Sequence, residues 1–251
     1  MTTINAGTVL LTFLVFCRIG GCLMLMPGFG SPRIPMQVRI FLAMSVSLAL
    51  APMLVPKLEG DLGQLSAPQA AQLIASETLI GATIGIMGRI FLLALQFMGT
   101  AAAALIGFTG SADAPVEAGE PAPSLATMLT LTATVLVFVT GLHLEMLRAL
   151  MASYSVIKIT DLFDARFALT KVTNAASDSF FLVGQLASPF LVYSLILNFL
   201  FGILNKLTPL IPVYYISAPF LIAGGILLFY FTFSEGLRLF ITGFQSFLVN
   251  G

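Results

Sequence analysis

The sequence predicts an all-α protein of the membrane type, built as hydrophobic helical hairpins. Two observations carry that expectation. Of 251 residues, 58% are hydrophobic and only 9% are Asp, Glu, Lys or Arg, whereas a soluble domain carries about 25% charged residues. A water-facing surface cannot be assembled from so few charges, so most of the chain must be covered by lipid or by other protein. The apolar residues also fall in long unbroken runs without the period-two alternation of strands, which selects helix over β-barrel.

Six apolar stretches follow one another, near residues 8–29, 39–56, 73–108, 125–151, 180–204 and 210–234, against the roughly 20 residues that cross a bilayer core. The first lacks the basic n-region and cleavage site of a secretory signal and is expected to stay with the mature protein. Its two cysteines, Cys17 and Cys22, point apart around a helix and spell neither a CxxC pair nor a zinc site. They read as small core residues. The loop GSPRIPMQV follows, where Pro32 and Pro35 stop a helix from continuing. The second stretch is expected to end at Pro52 and Pro56.

The 73–108 stretch exceeds one straight span, and Gly81, Gly85, Gly88 and Gly99 offer places to bend. The runs GATIGIMG and GTAAAALIG also let backbones approach closely, either within the chain or against another subunit. Residues 110–124, GSADAPVEAGEPAPS, hold three acids, three prolines and no base. Residues 152–179 are the longest polar stretch and read as a connector. No connector suffices for an independent soluble domain, so residues 1–251 are expected to form one domain. Loop charges put the Arg33 and Arg39 loop in the cytoplasm and the acidic loop outside. Since lipid and protein are equally good hosts for an apolar helix, six stretches do not prove six crossings.

Function classes fall away in turn. Eleven basic residues balance eleven acidic ones and no two bases are adjacent, which argues against nucleic acid, whose phosphates need clustered Lys and Arg. No Walker A, GxGxxG, HExxH or GxSxG pattern occurs. The single histidine, His143, cannot build a metal site alone. No cofactor, metal or catalytic residue is assigned, and no enzyme is expected.

Arg18, Glu77, Arg89, His143, Glu145, Arg148, Glu235 and Arg238 stand in or near apolar stretches. An ionised group facing hydrocarbon costs about 2.5–3.5 kcal/mol even on the lenient insertion scale, so these side chains must face protein, water or headgroups. Glu145 with Arg148 and Glu235 with Arg238 stand three apart and can pair along a helix. Paired structural charge is favoured over a proton relay, because no chain of carboxylates lines one helix.

Three stretches together resemble the flagellar biosynthetic protein FliR family, with its SpaR and YscT relatives in virulence secretion. They are FCRIGGCLMLMPGFGSPRIPMQVRIFLAMSVSLALAPML (16–54), GLHLEMLRALMASYSVIKI (141–159) and LILNFLFGILNKLTPLIPVYYISAPFLIAGG (195–225). The set keeps the family's order over nearly the whole chain, with His143, Asn205, Lys206 and Pro209 at its motif positions. The Gly-x-His of the second stretch favours the flagellar branch.

The resemblance implies a core subunit of the type III export gate in the bacterial inner membrane, at the flagellar basal body, without a cofactor. It implies a helical assembly with P-type and Q-type subunits, and neighbouring B-type and A-type export membrane proteins. Part of that assembly is expected to be raised to the periplasmic side, and unfolded flagellar proteins would pass through it. It further implies that the segment from Phe108 to Pro123, with Thr109, Gly110, Ser111 and Pro121, helps plug the pore. The alternatives weighed are a small-solute transporter with broken helices and an intramembrane hydrolase.

Overall fold

The first helix buries one face and sets the pattern for the others. Leu11, Leu14, Val15, Arg18, Ile19, Cys22 and Leu23 are buried, at the three- and four-residue steps that place side chains on one side of a helix. The computed structural model describes residues 6–31, 33–58, 66–108, 124–208 and 213–250. Among them every regular element is a helix: α1 (Ala6–Leu25), α2 (Met36–Leu58), α3 (Ala67–Leu105), α4 (Ser124–Val139), α5 (Leu142–Val156), α6 (Ala165–Leu207) and α7 (Val213–Asn250). The all-α expectation holds. Five are long and apolar enough to cross a membrane, or six spans result if α4 and α5 count as one broken span.

Several boundaries differ from those the sequence predicts. Helix α2 does not end at Pro52 but runs through it and Pro56 to Leu58. A proline removes one donor, whereas ending the helix in apolar surroundings would strand several backbone groups at once. Helix α3 is continuous over 39 residues, and its glycines serve close approach rather than bending. It ends in a Schellman arrangement: Gly107 takes φ 71, Phe108 N–H donates to the Ala103 carbonyl at 2.8 Å and Gly107 N–H to that of Ala104 at 3.1 Å. The 125–151 stretch is two helices, split where Gly141 adopts φ 75.

The largest correction is the polar 152–179 stretch, which is mostly helix. Asp164 accepts from the backbone N–H groups of Arg166 (2.8 Å) and Phe167 (3.3 Å), an N-cap that launches α6 for 43 residues. Pro189 lies inside α6 and leaves the Gln185 carbonyl without its usual donor. The Ser188 hydroxyl donates to that carbonyl at 2.8 Å instead. Similarly α7 does not stop near 234 but continues to Asn250. Threonines fit these apolar helices by donating to the carbonyl four residues back, as at Thr12, Thr78, Thr83, Thr130 and Thr134 (2.7–2.8 Å).

The chain divides into two compact units. One comprises Met1–Ile90, Gly141–Ala176 and Leu248–Gly251. Its core joins the buried face of α1 to Ala43 and Leu54 of α2, Ile80 of α3, and Met146 and Leu150 of α5. The other comprises Phe91–Thr140 and Ser177–Phe247. Its core is aromatic: Phe91 lies 5.4 Å from Phe244 and 4.7 Å from Phe247 between ring centroids, and Phe190 lies 6.3 Å from Phe229. Such ring pairs hold helices by large buried area plus edge and offset contacts.

Candidate functional site

Within the first unit, three helices meet at one buried arginine. Arg18 of α1 and Glu77 of α3 are both fully buried. Arg18 Nε donates to Glu77 Oε2 at 2.6 Å, and Nη2 donates to Oε1 at 2.7 Å. This is the two-pronged geometry that a planar guanidinium makes with a carboxylate. Nη1 donates to Ser153 Oγ at 3.1 Å and Nη2 also to the Ile157 carbonyl at 3.2 Å, so the positive charge sits at the C-terminal end of α5, where the helix dipole favours it. The Tyr154 ring stacks 4.0 Å from the guanidinium carbon, a cation–π contact. Each arginine nitrogen thus has an acceptor. The cluster is a staple of α1, α3 and α5, closed to solvent.

Glycines make that staple possible. A Cβ built at Gly81 would stand 1.9 Å from the Arg18 carbonyl oxygen, and one at Gly85 2.6 Å from that of Cys22. Two helices in van der Waals contact through their backbones need small residues at four-residue spacing. That contact also brings Glu77, one turn before Gly81, within reach of Arg18. Among the described residues no group of three or more His, Cys, Asp or Glu is placed to hold a metal ion.

Tyr154 yields a prediction of unusual sign. Its hydroxyl is buried with no hydrogen-bond partner among the described residues, a state that costs rather than stabilises. Tyr154→Phe keeps the ring over Arg18 and removes the stranded hydroxyl. Heat resistance of the detergent-solubilised protein is expected to be unchanged or slightly raised, and a clear loss would mean the hydroxyl has a partner.

The family model for the bacterial export proteins, family 1, matches residues 9–247. This chain belongs to that family. It is also similar to the flagellar biosynthetic protein FliR of Caulobacter vibrioides, 29% identical over 230 residues that cover 88% of each protein. The resemblance drawn from the three sequence stretches is therefore met.

In this member of bacterial export protein family 1, none of the other expected site residues among those described bonds to Arg18. Arg148 Nη1 donates to Glu145 Oε1 on α5, with side chains 70% and 37% exposed. Such a surface pair contributes about 0–1 kcal/mol. Glu235 and Arg238 lie exposed on α7 and form no ion pair with each other. His143 is half-buried near the start of α5. Asn205 and Lys206 are exposed in the last turn of α6, where a base suits the helix dipole. Phe108 is half-buried at the end of α3. Thr109, Gly110, Ser111, Pro121, Pro123 and Pro209 lie outside the described residues.

Sequence reasoning placed Arg18 and Glu77 among the charges in apolar stretches but did not pair them, since 59 residues separate them. The available signal was the glycine spacing on α3. It marks where another backbone crosses, and Glu77 sits one turn away.

Proposed function

We propose that the chain is a structural subunit of the flagellar protein-export apparatus of the bacterial inner membrane. In this reading its helices pack against P-type and Q-type subunits and form part of the pore for unfolded flagellar proteins. Membership of the export family and the likeness to a FliR protein over most of both chains support it. The observation that carries the need for partners is the length of uncovered apolar surface. Along α6, beyond the polar residues 170–179, exposed large apolar side chains run from Phe180 and Phe181 to Ile203 and Leu207, about 40 Å at 1.5 Å per residue. A bilayer core is about 30 Å thick. Lipid alone would cover that run only at a tilt of about 40°, the top of the usual range of about 0–40°. Leu195 and Phe199 are 74% and 72% exposed in the isolated chain, too apolar to be left in water.

The test is affinity purification of the tagged chain from native membranes, followed by identification of what comes with it. P-type and Q-type export subunits are expected in stable association. A solitary particle that binds a small solute would replace this reading with that of a transporter.

A further inference from the structure

Within the second unit, α7 is held in two different ways along its length. Its later part is anchored in the core: Phe229, Leu237, Phe240 and Phe244 are buried, with Phe229 in ring contact with Phe190 and Phe244 with Phe91. Before Leu221, the buried side chains among those described are Val213 and Ser217, whereas Tyr215, Ile216 and Phe220 are exposed. The helix itself is also weaker there. Pro219 has no N–H to offer the Tyr215 carbonyl, and Gly224 and Gly225 follow within six residues. Prolines and paired small residues are where helices bend, and glycine is a poor helix former.

Two unlike contacts meet at the glycine pair. A Cβ built at Gly225 would overlap Ile106 Cβ, an atom that moves only with the backbone just past the end of α3. A Cβ built at Gly224 would overlap Tyr193 Oη, the far end of a side chain that can change rotamer. That hydroxyl of α6 donates to the Leu221 carbonyl at 3.0 Å, with the Phe220 carbonyl 3.3 Å away. The first contact cannot give without moving a helix end, and the second can. Gly81 and Gly85 of α3 differ, because their nearest neighbours are backbone atoms.

We propose that residues 213–224 form an arm that pivots about the contact of Gly225 with Ile106, with the Tyr193 hydroxyl as its catch. Release breaks one hydrogen bond and leaves the aromatic core packed, so one end of α7 can yield to an adjacent chain while the other stays fixed. Segments held by few buried contacts open at low free energy, independently of the core.

The experiment measures hydrogen–deuterium exchange by mass spectrometry on tagged wild type and Y193F, purified from native membranes with the subunits that accompany them. Amides of residues 217–224 are compared with those of 229–244, and the first turn is left out because its N–H groups have no partner within the helix. Wild-type residues 217–224 are expected to exchange at least about ten-fold faster than 229–244. In Y193F their exchange is expected to rise about five-fold further, the scale of one hydrogen bond, with 229–244 unchanged. A uniform rise along α7 would make Tyr193 a general strut and overturns the proposal, as does unchanged exchange in 217–224. Equal protection of the two segments in wild type overturns it too, whether or not Y193F accumulates. Each outcome is read within this chain, so the arm stands or falls separately from the export-subunit reading.

Discussion

Glu77→Ala is expected to lower the amount of chain in the membrane by at least about ten-fold, because removing one partner of a buried ion pair costs about 3–5 kcal/mol. Native proteins hold only about 5–15 kcal/mol in reserve. The loss is not the absent attraction alone. Arg18 would remain fully buried with two of its donors facing an apolar gap, and an uncompensated buried charge is the dominant cost. Replacing both residues at once, Arg18→Met with Glu77→Met, removes the charge problem and fills similar volume. That double variant is expected to recover most of the lost protein. Recovery should stop short of complete, since the Ile157 carbonyl loses the donor it takes from Arg18, worth about 1–3 kcal/mol if nothing replaces it. Quantitative immunoblotting of membranes, with heat resistance after solubilisation, would read the series. A double variant that fares worse than Glu77→Ala alone would mean the cluster is more than a staple.

The helices themselves were legible, because apolar run length is a direct record of what a backbone needs when no water can satisfy it. Their ends were not. Pro52 and Pro56 looked like stops, yet a proline costs a helix in apolar surroundings less than termination does. The 152–179 stretch looked like a connector because polarity was read as loop; Asp164 is a helix cap there, and its signal is the spacing to the apolar residues after it. Gly141 looked like one more small residue inside a span, and only its left-handed φ distinguishes a break from the close-packing glycines of α3.

The site was legible in composition but not in pairing. Charges three apart on one helix are easy to match, and Glu145 with Arg148 does form such a pair, on the surface. The same logic offered Glu235 and Arg238, which stay apart on the exposed face of α7. Local spacing finds pairs that contribute little, because solvent screens them. The pair that holds three helices together is 59 residues apart, a separation that no periodicity encodes.

The glycine contact beneath that pair has its own test, in which two glycine-to-alanine changes should act in opposite directions. Alanine gains about 1 kcal/mol over glycine in a helix interior, and at Gly20 the added Cβ would meet only Ala43 Cβ, at 4.0 Å. Gly20→Ala is therefore expected to leave heat resistance unchanged or raised. At Gly81 the same methyl would stand 1.9 Å from the Arg18 carbonyl oxygen and 2.8 Å from its carbonyl carbon. Backbone cannot rotate away as a side chain can, so α1 and α3 must separate. Overpacking of this kind costs about 1–3 kcal/mol, and here separation also lengthens the Arg18–Glu77 bonds, one turn away and now 2.6 and 2.7 Å. Gly81→Ala should thus fall below wild type despite its better helix propensity, and adding Gly85→Ala, whose Cβ would lie 2.6 Å from the Cys22 carbonyl oxygen, should lower it further. Equal heat resistance in Gly20→Ala and Gly81→Ala would show that the two backbones do not touch in the folded protein, and the buried staple would then need another geometry.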